Sequence, residues 1–68
     1  PLIIEDFMTV DSKIWQADEA YREYRGDEPQ NRFLICWGNK LVEIAFDTFE
    51  DGITDEIISI VAEKLKDF

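Results

Sequence analysis

Two runs of alternating apolar residues, separated by a short turn sequence, constrain the fold of this chain more than any other feature. The runs cover residues 32–37 and 41–47. Their alternating apolar side chains are Phe33, Ile35, Trp37, Val42, Ile44 and Phe46. Because strand side chains alternate between faces, this pattern predicts a β-hairpin with one apolar face. A two-residue turn at Gly38-Asn39 or at Asn39-Lys40 places the same six residues together, so either turn predicts the same core face.

A C-terminal helix from about residue 55 to 68 is predicted to pack on that face. Thr54 is a suitable N-cap, and Asp55 and Glu56 suit the positive end of a helix dipole. The predicted apolar stripe consists of Ile57, Val61, Leu65 and Phe68, widened by Ile58. This spacing repeats every three to four residues, as expected for one face of a helix.

Before the hairpin, the sequence predicts another helix from about residue 12 to 25. Asp11 is its expected N-cap, and Gly26 its expected end. Its expected stripe is Ile14, Ala17, Tyr21 and Tyr24. A strand over residues 13–16 is the competing prediction, and residues 1–7 favour a short strand or an extended arm. The whole chain, 1–68, is thus predicted to be one small α+β domain: N-terminal strand or arm, helix, β-hairpin, and C-terminal helix packed on the hairpin.

The opposite face of the predicted hairpin is half apolar, which is unusual for a surface left in water. It carries Leu34, Cys36, Leu41, Glu43 and Ala45. Either the first predicted helix partly covers it, or it contacts another chain. Leftover apolar surface and open strand edges favour symmetric pairing, so we expect a homodimer. Its expected contact residues are Leu34, Cys36, Leu41 and Ala45.

Charge and residue usage exclude several classes of function. Sixteen acidic and seven basic residues give a net charge of −9, which repels nucleic acid and anionic membranes. With no histidine and one cysteine, the chain cannot form an internal disulfide or a Cys/His zinc site. Histidine, which usually activates a thiol or hydroxyl nucleophile, is therefore not available either. We therefore expect no cofactor, no metal and no enzymatic activity. The lone thiol and the lack of a signal-like N-terminus favour a cytoplasmic location.

The acidic residues also suggest a partner surface, besides their contribution to solubility. The expected surface residues are Asp18, Glu19, Glu23, Asp27 and Glu28. On this basis the chain is predicted to be a small acidic accessory protein that binds another protein. An alternative from the same charge is a mimic of nucleic acid that blocks a DNA- or RNA-binding protein. A mimic requires its carboxylates in a row on one exposed face.

Two resemblances extend these hypotheses. The opening Pro-Leu-Ile-Ile is similar to the start of the tautomerase superfamily, whose N-terminal proline acts as a general base, and this implies an enzymatic alternative for Pro1. Residues 39–47 and 60–65 resemble the C-terminal half of short uncharacterised proteins of bacterial mobile elements. Thr48-Phe49 departs from that group, in which tryptophan and proline are common there. The second resemblance implies a small bacterial accessory protein without an assigned activity.

Overall fold

The computed structural model describes residues 6–47 and 52–67, which form an antiparallel sheet followed by a helix. The strands are β1 (Phe7–Thr9), β2 (Glu19–Arg25), β3 (Glu28–Trp37) and β4 (Lys40–Ala45), and the helix is α1 (Asp55–Leu65). The sheet order is β1-β2-β3-β4, so each strand pairs with its neighbour in the chain. Helix α1 is too short to span a membrane, and no other helix is found in the described residues.

Glycine-led turns of two residues connect β2 to β3 and β3 to β4. Gly26 and Gly38 have φ values of +62° and +57°, the positive values that tight hairpin turns require and glycine adopts without strain. Phe33 lies opposite Ile44, and Ile35 lies opposite Val42. This register corresponds to the Gly38-Asn39 alternative of the two predicted turns.

The predicted arrangement of arm, helix, hairpin and helix is wrong, because the strands come first and the helix last. Asp11 begins a hydrogen-bonded turn, since its Oδ1 accepts a hydrogen bond from the Lys13 amide at 2.9 Å. Gln16 then takes a left-handed φ of +53°, which ends the turn. The competing strand over residues 13–16 is also wrong. From Glu19 the chain is extended, and its alternating side chains suit a strand between two others.

The core lies between the sheet and α1. Its buried members are Trp15, Ala20, Phe33, Ile35, Ile58 and Ala62. The ring of Trp15 lies 5.1 Å from that of Phe33, centroid to centroid, and the backbone carbonyl of Trp15 accepts the indole hydrogen bond of Trp37 at 3.1 Å. Of the predicted helix stripe, Ile58 and Val61 pack in the core as expected, whereas Ile57 is exposed and the buried Ala62 was not predicted. Phe68 lies outside the described residues.

The N-cap of α1 is Thr54, as predicted. Its hydroxyl accepts a hydrogen bond from the Ile57 amide at 3.3 Å. Ile53, just before the cap, packs against the core that contains Ile58. This local arrangement fixes where the chain turns back over the sheet, and it leaves the opposite sheet face without α1.

Candidate interaction surface

The sheet face opposite α1 combines residues from all four strands, and we call it the open face. Strand alternation and register assign to it Phe7, Thr9, Glu19, Tyr21, Glu23, Arg32, Leu34, Cys36, Leu41, Glu43 and Ala45. The four residues expected to form a dimer contact all lie on it, across β3 and β4. The helix predicted over residues 12–25 does not cover them, because a turn and strand β2 of the same sheet take its place. A small sheet with a helix on one face leaves its second face for solvent or for a partner.

Apolar exposure on the open face increases toward β4. Tyr21 on β2 is 6% exposed, whereas Leu41 on β4 is 51% exposed. Leu34 and Cys36 on β3 are half-buried. The Cys36 thiol donates a hydrogen bond to the Gly38 carbonyl at 3.4 Å, consistent with a structural rather than a nucleophilic role. Leu41 on β4 is therefore the most exposed large apolar side chain of this face, while Phe7 on β1 is half-buried like Leu34 and Cys36.

A charged row crosses the open face beside these apolar residues. Arg32 donates from Nε to a carboxylate oxygen of Glu43 at 2.7 Å, and a second nitrogen of the same guanidinium contacts that oxygen. The guanidinium also lies 3.9 Å from a carboxylate oxygen of Glu23. Glu19 accepts a hydrogen bond from the Tyr21 hydroxyl at 3.1 Å. In the defined open face, carboxylates therefore outnumber guanidinium groups.

The predicted acidic residues lie on β2 and β3 and at the turns beside them. Glu19 and Glu23 lie on the open face, but Asp18 accepts a hydrogen bond from the Gly38 amide at 2.5 Å and thereby supports the β3–β4 turn. Asp27 and Glu28 lie at the β2–β3 turn. Of the predicted acidic residues, Glu19 and Glu23 therefore share a sheet face with the predicted apolar contact residues.

Sequence reasoning missed Arg32 and Tyr21 as members of this surface. The register β2–β3–β4 brings Tyr21 opposite Leu34, and Leu34 opposite Glu43. The signal that would have found Tyr21 is the alternation of residues 19–25, read with a strand period instead of a helix period. Arg32 begins the first alternating run. Because side chains two residues apart in a strand share a face, it is expected on the same face as Leu34.

Two concave regions lie on the α1 side of the sheet. A shallow groove of about 370 Å³ is lined by Gln16, Ser59, Ile60, Glu63 and Lys64. Here the Gln16 amide donates to Glu63 at 3.0 Å. That hydrogen bond, followed by the nearby Lys66 ammonium, lowers the pKa of the Glu63 carboxyl from its ordinary value.

A smaller cavity of about 160 Å³ contains the side chain of Arg22. The guanidinium lies 4.9 Å from the Phe33 ring centroid, and its Nε donates to the Gln30 carbonyl at 2.7 Å. The contact with the Phe33 ring and the hydrogen bond to Gln30 both stabilise the positive charge of Arg22 in this position. Neither concave region is a candidate metal centre, since no group of three or more potential ligands occurs in the described part of the chain.

Comparisons with protein-family models, curated proteins and solved structures found no match to this chain. The resemblance to proteins of bacterial mobile elements stays a prediction. Pro1 lies outside the described residues, so the tautomerase hypothesis also stays untested.

Proposed function

We propose that this chain is a small, non-enzymatic accessory protein that binds a partner protein through its open face. The observation that carries the proposal is the exposure of Leu41 at 51% beside the half-buried Leu34 and Cys36, on a face that α1 does not cover. Exposed apolar surface rimmed by charge is typical of interaction sites.

The charges of the open face favour a partner with a basic rim around an apolar centre. Glu19, Glu23 and Glu43 outnumber Arg32 on this face, and the entire chain has a net charge of −9. A basic partner would be attracted from a distance and held in register at the rim. A second copy of the chain would bring like charges together, so the expected homodimer is the less favoured occupant.

The nucleic-acid mimic stays an alternative, and it is less favoured than protein binding because of the mixed character of the open face. Asp18 supports one turn of the sheet and Asp27 lies at another, and of the predicted acidic residues only Glu19 and Glu23 belong to the open face. The open face instead mixes apolar side chains with charge, which suits protein recognition.

Site-specific photo-crosslinking tests the proposed surface. A photoreactive phenylalanine analogue replaces Leu41 in one variant and Ile60 in a matched control, since these residues are 51% and 53% exposed. Both variants are expressed in cells of the source organism and irradiated. We expect a discrete adduct from position 41 that position 60 does not give, and we expect Leu34→Asp in the position-41 variant to remove it.

The mass of the adduct identifies the occupant. An adduct with a basic protein supports the proposal, whereas an adduct of twice the chain's own mass assigns the face to a homodimer. The same adducts from both positions, or none from position 41, would refute binding through the open face. Circular dichroism of each variant verifies that the substitutions leave the fold intact.

A further inference from the structure

The outer edge of β4 presents unpaired backbone groups next to the open face. The Phe46 amide donates to the Asn31 carbonyl at 2.8 Å, so Phe46 lies in a hydrogen-bonded pair with β3. In an antiparallel ladder such pairs recur at every second residue, which turns the backbone of Val42 and Ile44 toward β3. The amides and carbonyls of Leu41, Glu43 and Ala45 therefore point away from the sheet. We call these groups the β4 edge.

No strand of residues 6–47 or 52–67 pairs with the β4 edge, which ends the sheet. The opposite sheet edge is β1, of three residues, whereas β4 has six. Natural sheets limit unwanted pairing with short or charged edge strands. β4 is the longer edge, and its charged side chains are Lys40 at the turn and Glu43 at the centre.

Apolar side chains border the β4 edge on both faces of the sheet. Leu41 and Ala45 are exposed on the open face, and Val42 and Ile44 are half-buried on the helix side. A strand added here would cover apolar surface on both sides and satisfy the outward backbone groups. The edge thus offers hydrogen bonding and burial at the same place.

A second copy fits this edge poorly. When two β4 strands pair antiparallel with full overlap of their outward residues, Leu41 faces Ala45 and Glu43 faces Glu43 of the other copy. Like charges directly opposite each other destabilise a strand pair. The net charge of −9 on each copy adds to the repulsion. A cationic side chain opposite Glu43 removes the conflict.

We propose that the β4 edge binds an extended segment of a partner protein by strand addition, with a lysine or arginine opposite Glu43 and apolar residues around it. This inference rests on the proposed function and specifies how the partner is held. The backbone ladder supplies affinity, and Glu43, already fixed by Arg32, selects the basic side chain.

Synthetic peptides test strand addition directly. The probe is Lys-Thr-Val-Val-Lys-Val-Val-Thr-Lys, and two controls replace its central lysine by glutamate or by backbone N-methyl-lysine. The methylated control keeps the charge but loses the central amide donor. Binding is measured by fluorescence anisotropy, and amide hydrogen exchange is followed by NMR. We expect each control to bind at least about tenfold more weakly, since one tenfold step in affinity requires only about 1.4 kcal/mol.

Hydrogen exchange locates the bound peptide. In the free protein we expect fast exchange at Leu41, Glu43 and Ala45 and slow exchange at Val42 and Ile44. The lysine peptide should protect the first group selectively. Glu43→Lys should reverse the preference toward the glutamate peptide, whereas Asp27→Lys, with the same charge change at the β2–β3 turn, should not.

Failure of the lysine peptide to bind at millimolar concentration would overturn strand addition, as would equal binding of the N-methylated peptide or protection away from β4. Protection of the β4 edge without peptide, together with a doubled mass in sedimentation, would assign the edge to a second copy and also overturn the proposal. A specific crosslink from position 41 would still support the proposed function in these cases, so the two failures are distinguishable.

Discussion

Trp15 lies at the centre of the packing although it belongs to no strand or long helix. It is 1% exposed, and its ring contacts those of Phe33 and Phe46. We expect Trp15→Ala to lower the free energy of unfolding by about 3–5 kcal/mol, because it removes a large buried side chain and leaves a cavity. Ile60→Ala, at an exposed helix position, should change it by less than about 0.5 kcal/mol. Urea unfolding followed by circular dichroism measures both; equal effects would contradict the core assignment.

At Glu63, a local hydrogen bond has a consequence for pH. The Gln16 amide, followed by Lys66, lowers the pKa of this carboxyl. We expect Gln16→Ala to raise the pKa of Glu63 toward its ordinary value, as seen by NMR titration of the Glu63 side chain. Ser59→Ala, in the same groove, should not. An unchanged pKa in Gln16→Ala would contradict the assigned cause.

The sign of the linkage follows from the direction of that shift. Because the folded-state pKa of Glu63 is the lower one, its contribution to stability is complete above the unfolded-state pKa. The contribution is lost as the pH falls through the folded-state value. The Glu63 side chain is exposed, so solvent screens this interaction and the effect is expected to be small. Its direction is a smaller loss of stability at acidic pH in Gln16→Ala than in the native protein.

The two hairpin turns depend on glycine for a conformational reason and not a packing reason. Nothing lies within 4 Å of a Cβ built at Gly26 or Gly38, but both have positive φ. We expect Gly26→Ala and Gly38→Ala each to destabilise the fold by about 1–2 kcal/mol, the cost of a left-handed alanine. Gly38→Asn should cost less, since asparagine tolerates positive φ. Urea unfolding of the three variants checks this order, and an alanine variant as stable as the native protein would contradict it.

At the scale of the whole molecule, net charge determines whether the protein can bind nucleic acid. With a net charge of −9, the protein should not bind duplex DNA or RNA at physiological salt, because no basic cluster offsets repulsion from the phosphates. An electrophoretic mobility-shift assay with a basic protein of similar size as positive control measures this. A shifted band at micromolar protein concentration would contradict the expectation.

Sequence patterning by itself determined the β3–β4 hairpin, its core face, and the Thr54 cap of α1. These features depend on residues only a few positions apart in the sequence. Strand alternation and the chemistry of helix caps therefore predict them. The same local rules failed for residues 12–25. Asp11 is a suitable N-cap, and Tyr21 and Tyr24 share a helical spacing, so local pattern predicts a helix here. Tertiary structure decided otherwise, since residues 19–25 gain pairing partners on both sides, β1 and β3.

The pairing of residues 19–25 as a strand also forms the candidate site. The open face joins Glu19 and Tyr21 to Leu34 and Leu41 only because β2 lies beside β3 in a defined register. The apolar residues of β3 and β4 could be predicted from the sequence, since they share one hairpin. The contact from Arg32 to Glu23 could not, because it requires residues 19–25 to be a strand paired with β3, whereas their sequence pattern predicted a helix. The sequence therefore specified which residues form the hairpin, whereas the pairing of β2 with β1 and β3 decided which other residues share its surface.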